Sequence, residues 1–357
     1  MKKSAYKKGI LLLPILLLSV TLAAQEVTKE FHEEYNAGAN STLQLNNKYG
    51  DVVIDSWNQD KVVIDVKVTV EMPNREKAQE LIQYINVEFA QNGDVISAKT
   101  VIDNKFNFRG WGGSRKFSID YSVKMPAKAA LALSNRYGNT DVDELDGLVN
   151  LDIKYGNLTL GKITSVRRDP INTINISYGK GTIDEAGWLD LTLRYVGNTE
   201  ITKCQALLLD SKYSKLSVGE LSSLVGESKY DNLNIDQVNN LVLENGYTDT
   251  KIGTLNKKLQ YNGSYGSFSV ERIPAGFESI DVDTRYMGVN LGIDDAANYN
   301  LDAHVSYGGL KYNEENFINK KRIIENTSQE IAGIVGKNEN PEASVNVTAS
   351  YGSVRLY

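Results

Sequence analysis

The sequence predicts an all-β chain that folds as a parallel β-solenoid, with an N-terminal cap that contains one α-helix. Three observations lead to this prediction. A tyrosine, often followed by glycine, recurs through most of the 357 residues. Apolar residues stand at fixed distances on both sides of it, and most copies follow one another at 17 to 18 residues. Short repeats of this kind bury a core only by stacking on their neighbours.

The residues around each tyrosine alternate between apolar and polar, which is typical of half-buried strands. In the copy at Tyr213, apolar residues stand three, five and eight positions after the tyrosine, at Leu216, Val218 and Leu221. Leu207 and Leu209 stand six and four positions before it. The alternation changes phase just after the tyrosine, where Gly is common. We therefore expect a turn or bulge there, with Gly supplying the unusual backbone angles.

The most regular copies predict solenoid coils from residue 129 to residue 312. A period of 17 to 18 residues is too short for a propeller blade or a helical repeat, and suits one coil of two or three short strands. Successive coils would stack at roughly 4.8 Å, strand on parallel strand. Equivalent side chains then lie above one another. We expect a ladder of stacked rings from Tyr137, Tyr155, Tyr178, Tyr195, Tyr213, Tyr230, Tyr247 and Tyr265.

The first copy, at Tyr49, stands 88 residues before the next, and residues 25–128 predict this first coil with a cap. Residues 61–70 and 117–125 alternate as strands do. Residues 74–90 predict a helix, because apolar residues recur there at a helical period and Asn74 is a suitable N-cap. A cap would protect the end of the solenoid from edge-to-edge pairing.

The C-terminal part departs from the regular pattern. Residues 313–342 are rich in Asn, Glu and Lys and predict an irregular insertion that leaves the body as a loop. The final copy, around Tyr351, predicts closing strands in residues 343–357 that return to pair as the last strand of the stack.

Residues 1–24 have the layout of a secretory signal peptide: a basic start, a short apolar run, and small residues at Ala23 and Ala24. An uncleaved N-terminal anchor is the alternative. We expect export through the Sec pathway to the periplasm, the outer membrane or the exterior, with no transmembrane span in the mature chain. The net charge of −6 falls to about −10 when the four lysines of this segment are removed. An acidic exported chain is a poor nucleic-acid binder.

Sequence patterns for catalysis, metal binding or a cofactor are not found, so we expect no enzyme. Parallel β-helices include carbohydrate-active enzymes, but the Asp and Glu residues fall mostly at outward positions or turns. His32 and His304 are the only histidines and stand far apart. The single cysteine, Cys204, excludes an internal disulfide, and we expect it to be a buried small apolar residue.

One segment combines residues that often mark recognition. Phe106, Phe108, Arg109 and Trp111 lie in a Gly-flanked stretch, 103–116, that lacks the repeat. These side chains are the candidate ligand-binding residues. The alternative is that the rings plug the end of the solenoid, which is favoured because exposed aromatics are uncommon without a partner. The row of Lys, Arg and Ser residues that directly precede the tyrosines is the next candidate surface.

The chain resembles the bacterial putative-adhesin domain family, a β-strand-repeat domain of unknown function. The resemblance lies in YGDVVIDSWNQDKVVIDVKVTVE from Tyr49, in the helix that follows, in IDYSVKMPAKAALALSNRYGNTDVDELDG from Ile119, and in the serial Tyr-Gly copies. It covers nearly the whole mature chain. It implies a parallel β-solenoid in an exported or envelope-associated protein with an adhesive or scaffolding role, and no catalytic residues.

The resulting hypothesis is an exported, non-enzymatic adhesin or cell-envelope scaffold whose partner is an unidentified surface protein or glycan. A rigid rod with laterally repeated side chains can offer many weak, equivalent contacts whose avidity adds up. Two alternatives stay open: a carbohydrate-active β-helix enzyme, and a periplasmic partner of an envelope signalling system.

Overall fold

The structure, a computed structural model, describes residues 25–106, 116–166 and 169–357. Within these residues the chain is all-β with one α-helix, and its strands form one long sheet of 23 strands. The prediction of an all-β chain with one helix is confirmed at this level. The predicted signal peptide, residues 1–24, lies outside the described residues. No helix in the described residues is long and apolar enough to cross a membrane.

The N-terminal part contains seven strands and the helix. They are β1 (Gln25–Asn36), β2 (Thr42–Lys48), β3 (Val52–Trp57), β4 (Lys61–Met72), α1 (Arg75–Ile82), β5 (Ile85–Asn92), β6 (Val95–Ile102) and β7 (Lys116–Pro126).

The repeated copies then run from β8 to β19. These strands are β8 (Ala130–Arg136), β9 (Thr140–Val142), β10 (Val149–Lys154), β11 (Leu158–Ile163), β12 (Asn172–Ser177), β13 (Lys180–Arg194), β14 (Asn198–Lys212), β15 (Lys215–Lys229), β16 (Asn232–Ile273), β17 (Ser279–Ile293), β18 (Tyr299–Ser306) and β19 (Leu310–Lys311). The C-terminal strands are β20 (Phe317–Ile324), β21 (Ser328–Val335), β22 (Ala343–Ser350) and β23 (Val354–Leu356).

Successive copies pair in parallel, with equivalent residues in register. Leu189 is aligned with Leu207, Leu207 with Leu224, and Leu224 with Leu241. All four side chains are buried. The apolar positions of each copy therefore form continuous files inside the protein, which is how a short repeat acquires a core.

Ile235 tests this assignment of inward and outward positions. Its side chain is 1% exposed and is aligned with Val218 of the preceding copy. We expect Ile235→Ala to lower the free energy of unfolding by about 2–5 kcal/mol, because it leaves a cavity. Lys229→Ala, at an exposed position, should change it by no more than about 0.5 kcal/mol. Chemical denaturation of the two variants measures both values, and equal losses would contradict the assignment.

The N-terminal end is covered by strands that continue the stack. On one face β6 pairs with β2 in parallel, and β5 pairs with β6 in antiparallel. On the other face β7 pairs with β3 in parallel, and β4 and β1 follow in antiparallel. Helix α1 contacts β1 and β4 and buries Ala78, Leu81 and Ile82. The side chain of Asn74 accepts a hydrogen bond from the Lys77 amide at 2.9 Å, as expected of the N-cap.

The predicted helix 74–90 is wrong beyond Ile82. Gln83 is the C-cap, and Ile85–Asn92 forms β5. Ile85, Val87 and Phe89 alternate with polar residues, and this part pairs along its whole length with β6. Sheet pairing and burial of alternate side chains therefore override the helical period that continues from α1.

The prediction that residues 313–342 leave the body as an irregular loop is wrong, because this part forms an antiparallel hairpin. Strands β20 and β21 pair with each other, and β21 pairs with β18. Ile331 and Val335 of β21 are buried against the core. The polar composition of this part reflects the outer strand, whose side chains are mostly exposed. The hairpin thus covers the C-terminal end of one face.

The closing strands also take an unexpected place. β22 pairs in parallel with β17 on one side and with β18 on the other. β23 lies in the same way between β17 and β19. The sequence predicted that the final copy is the last in the stack. This prediction is wrong, because the final copy is inserted between the two copies that precede it in the chain. β18, with its hairpin, is joined to the stack through β22.

Candidate binding surface

Twelve tyrosines, one from each copy, form the most regular surface feature of the described residues. We call this set the tyrosine strip. It consists of Tyr49, Tyr137, Tyr155, Tyr178, Tyr195, Tyr213, Tyr230, Tyr247, Tyr265, Tyr286, Tyr351 and Tyr307, in their spatial order. The eight tyrosines of the predicted ladder occupy consecutive places in it.

The rings of the strip are stacked on one another. Neighbouring ring centroids are 4.6–5.1 Å apart, and the ring planes differ by 2–15°. This spacing is that of neighbouring strands, so the backbone register sets the stacking distance. Eleven such steps make a strip roughly 50 Å long.

Every tyrosine of the strip has a left-handed backbone conformation, with φ between 51° and 66°. This corrects the expectation that Gly supplies the unusual angles. The glycines that follow Tyr137, Tyr155 and Tyr178 are needed for another reason. A Cβ at Gly138, Gly156 or Gly179 would lie 1.9 Å from a carbonyl oxygen of the neighbouring copy. Glycine therefore permits close contact between copies, while the tyrosine itself makes the turn.

The left-handed conformation costs a non-glycine residue about 1–2 kcal/mol. A stacked aromatic pair contributes roughly 0.5–1.5 kcal/mol beyond its burial. The two effects are of similar size, so stacking offsets the strain.

Substitutions at Tyr213 should reveal the strain. Tyr213→Gly and Tyr213→Ala both remove the ring, but only Gly relieves the left-handed backbone. We expect the Gly variant to be more stable than the Ala variant by about 1 kcal/mol in chemical denaturation. At Lys212, whose φ is negative, the order should reverse, with Gly less stable than Ala by about 0.5–1 kcal/mol. The same order at both sites would contradict the assignment of strain to the tyrosine.

The strip is open to solvent. Eleven of its side chains are 41–59% exposed, and Tyr49, at the N-terminal end, is half-buried. Because the rings are stacked, their faces cover one another, and their edges and hydroxyl groups point outward. No hydroxyl of the strip forms a hydrogen bond with any of the described residues. The strip therefore offers a hydrogen-bonding group to an external partner at every step.

A row of basic residues lies beside one half of the strip. We call it the basic row: Lys48, Arg136, Lys154, Arg194, Lys212 and Lys229, each directly before a tyrosine. Lys154 lies 3.4 Å from Asp152, Lys229 lies 3.1 Å from Glu227, and Arg194 pairs with Asp210. The other three, Lys48, Arg136 and Lys212, make no ion pair with the described residues.

The aromatic segment predicted as a ligand site is described only at its start. The rings of Phe106 and Phe117 are 5.0 Å apart and nearly perpendicular, and Phe117 lies 5.1 Å from Tyr49. Phe106 is partly buried against the core. Phe117 therefore covers the N-terminal end of the strip, and Phe106 packs on Phe117. Phe108, Arg109 and Trp111 lie outside the described residues.

The cysteine, the two histidines and Asp190 lie on four different strands. Cys204 is buried, as predicted, and burial raises the pKa of its thiol to about 12, so it stays protonated at neutral pH. The Nδ1 of His32, on β1, donates to Oδ1 of Asp65, on β4, at 2.6 Å, and His304 lies on β18 near the opposite end. Burial, and then the charge of Asp210, raise the pKa of Asp190. The described residues contain no group of three or more His, Cys, Asp or Glu side chains that could hold a metal ion.

Comparisons with known proteins give low similarity. No family model and no curated protein matches the chain. Three solved structures match over 92% of it at 11% identity. They are a putative cell adhesion protein from Clostridium sporogenes (99% of that chain, TM-score 0.20), a putative lipid binding protein from Parabacteroides distasonis (96%, TM-score 0.29) and a putative adhesin from Parabacteroides distasonis (97%, TM-score 0.28). At these TM-scores the functional proposal rests on the chain's own residues.

Proposed function

We propose that the chain is an exported, non-enzymatic binding module, an adhesin or cell-envelope scaffold, folded as a parallel β-solenoid. The solenoid is supported by the in-register parallel pairing of equivalent strands before and after each tyrosine, as in β8–β10 and β9–β11. A chain that turns at every tyrosine and returns one strand spacing further along forms a coil with each copy.

The tyrosine strip is the observation that carries this proposal. It repeats one ring and one hydroxyl twelve times at a nearly constant step, and eleven of the rings are exposed. Such a surface suits a long or multivalent partner, because each contact is weak and the contacts add up along the strip. The stability gained from the rings is largely offset by backbone strain, which leaves binding as the advantage of exposed tyrosine at this position.

A non-enzymatic role is supported by the state of the reactive groups. The cysteine thiol is buried and protonated, and many carboxylates lie at the surface in ion pairs with lysines, such as Glu185 with Lys162 and Glu220 with Lys203. Incubation with polysaccharides should release no new reducing ends or unsaturated products. Release of either that is lost in Asp190→Asn would instead establish a carbohydrate-active enzyme.

Binding to cell material tests the proposed function directly. The mature chain, from Gln25, should bind whole bacterial cells or isolated envelope fractions. A variant in which several tyrosines of the strip are changed to Asn should bind less. Binding to neither material would overturn the proposal. Export is tested separately by fractionation and surface labelling of cells that make the full-length chain. Recovery of the chain in the cytoplasm would contradict the signal peptide.

A further inference from the structure

The two halves of the tyrosine strip differ in charge. In the seven copies from Tyr49 to Tyr230, the residue before the tyrosine is basic in six and is Ser177 in the other. In the five remaining copies it is Gly246, Ser264, Arg285, Ser350 and Ser306. The basic row is thus confined to the N-terminal half, although the chain as a whole carries a net charge of −6.

The cations of the basic row are available to a ligand. Lys48, Arg136 and Lys212 are exposed and make no ion pair with the described residues. The other three pair with surface carboxylates, and surface ion pairs contribute at most about 1 kcal/mol. Arg194 also donates to the carbonyl oxygens of Leu193 and Asp210, each at 2.9 Å, so Lys154 and Lys229 are the more available of the three. An anionic ligand can exchange with those carboxylates at little cost.

The geometry of the strip selects among anionic polymers. The strands that precede the inner tyrosines are paired on both sides, as β10 is with β8 and β12, so no backbone edge is free for a peptide to add a strand. The ring faces cover one another, so they are not open to the base stacking by which proteins bind single-stranded nucleic acid. What remains is a line of hydroxyl groups with a parallel line of cations.

A linear polysaccharide with carboxylate groups has the matching chemistry. Its hydroxyl groups can donate to and accept from the tyrosine hydroxyls, and its carboxylates can pair with Lys and Arg. An extended chain of pyranose units also advances by nearly one strand spacing per sugar, so contacts can repeat from copy to copy.

We propose that the N-terminal half of the tyrosine strip and the basic row together bind a linear acidic polysaccharide that lies along the strip. This inference rests on the proposed function and names the chemical class of its ligand. The polysaccharide's carboxylates lie over the basic row, and its hydroxyls meet the hydroxyls of the rings. The C-terminal half of the strip, in which Arg285 is the one basic residue directly before a tyrosine, contributes less.

Titration calorimetry with polygalacturonate tests the proposal. The triple variant Arg136→Ser, Lys154→Ser, Lys212→Ser places at these positions the residue that the chain itself carries at Ser177. We expect binding about tenfold weaker or more, and a weaker dependence on salt. The matched control is Lys203→Ser, Lys251→Ser, Lys258→Ser, which removes the same charge from exposed positions outside the basic row. It should bind within about twofold of the unchanged protein.

The role of the hydroxyls is tested by a second variant, Tyr155→Phe, Tyr178→Phe, Tyr195→Phe. It retains the ring stack and loses three hydroxyls, so the fold is kept and binding should fall several-fold. A neutral linear β-glucan and polyglutamate are the comparison polymers, and both should bind much more weakly than polygalacturonate.

Several results would overturn the inference. They are equal binding by the two charge variants, no effect of the Phe substitutions, or polyglutamate binding as tightly as polygalacturonate. A chain that binds cell envelopes but not polygalacturonate would refute the ligand class and leave the proposed function standing. A chain that binds neither would refute both.

Discussion

Deletion of residues 343–357 should detach the C-terminal end of the protein from the rest of the stack. β22 and β23 lie between β17 and the strands β18 and β19, so β18 loses the strand that joins it to the body. Five buried apolar side chains are removed: Val345, Val347, Ala349, Val354 and Leu356. Their burial contributes on the order of 10 kcal/mol.

Hydrogen exchange measures this effect in separate parts of the chain. We expect amides of β18, β20 and β21 to lose protection in the deletion variant, while amides between Tyr137 and Tyr230 keep it. The matched control is Thr348→Ala with Arg355→Ala, which changes two exposed side chains of the same segment. The amides of β18, β20 and β21 should stay protected in this variant. Full protection of β18 after the deletion would contradict its attachment through β22.

Gly156→Ala should also be severely destabilising. The new Cβ would lie 1.9 Å from the carbonyl oxygen of Gly138, and both glycines lie in bends between strands whose spacing is fixed by parallel pairing. A methyl group at this place must push two copies apart or change the turn. We expect the free energy of unfolding to fall by more than about 4 kcal/mol, which exceeds the effect of most single substitutions.

Gly288 provides the control, because no atom lies within 4 Å of a Cβ built there. Gly288→Ala should change stability by no more than about 1 kcal/mol, as measured by the same denaturation experiment. Other copies carry Val196 or Thr248 directly after the tyrosine, and both are buried. A small loss in Gly156→Ala would mean that its turn can convert to the form found in those copies.

The parts of the fold that depend on local alternation could be predicted from the sequence. Leu207 and Leu209 were expected to point inward from their distance to Tyr213, and both are buried. The strands, the single helix and its N-cap at Asn74 follow from signals that lie within a few residues of each other.

The order of the last strands and the end of the helix depend on contacts between residues that are distant in sequence. Which residue adopts the left-handed conformation could not be read from the composition of the turn. The place of β22 between β17 and β18 is decided by pairing over 65 and 44 residues, and every copy has nearly the same pattern. The end of α1 is set by the pairing of β5 with β6. The left-handed angle of the tyrosines was assigned to Gly, because Gly adopts it most easily and tyrosine rarely does.

The candidate surface was predicted in part. Its eight central tyrosines follow from the constant period, and the row of cations beside them is visible in the sequence. The sequence did not predict that the hydroxyls are free, or that Phe106 packs on Phe117 at the end of the strip. Both observations require coordinates. The recurrence of a basic residue directly before the tyrosine is the sequence signal that favours the strip over the aromatic segment as the proposed ligand site.

The central claim is that the N-terminal half of the tyrosine strip is the binding surface. Nuclear magnetic resonance of protein with isotope-labelled tyrosine rings tests it most directly, with signals assigned through single Tyr→Phe variants. Polygalacturonate should shift the ring signals of Tyr137, Tyr155 and Tyr195. The signals of Tyr121 and Tyr261, which are buried, and of Tyr307, at the far end of the strip, should stay in place. Shifts at Tyr307 without shifts at Tyr137 and Tyr155, or no shift at any ring of the strip while the polymer binds, would contradict the claim.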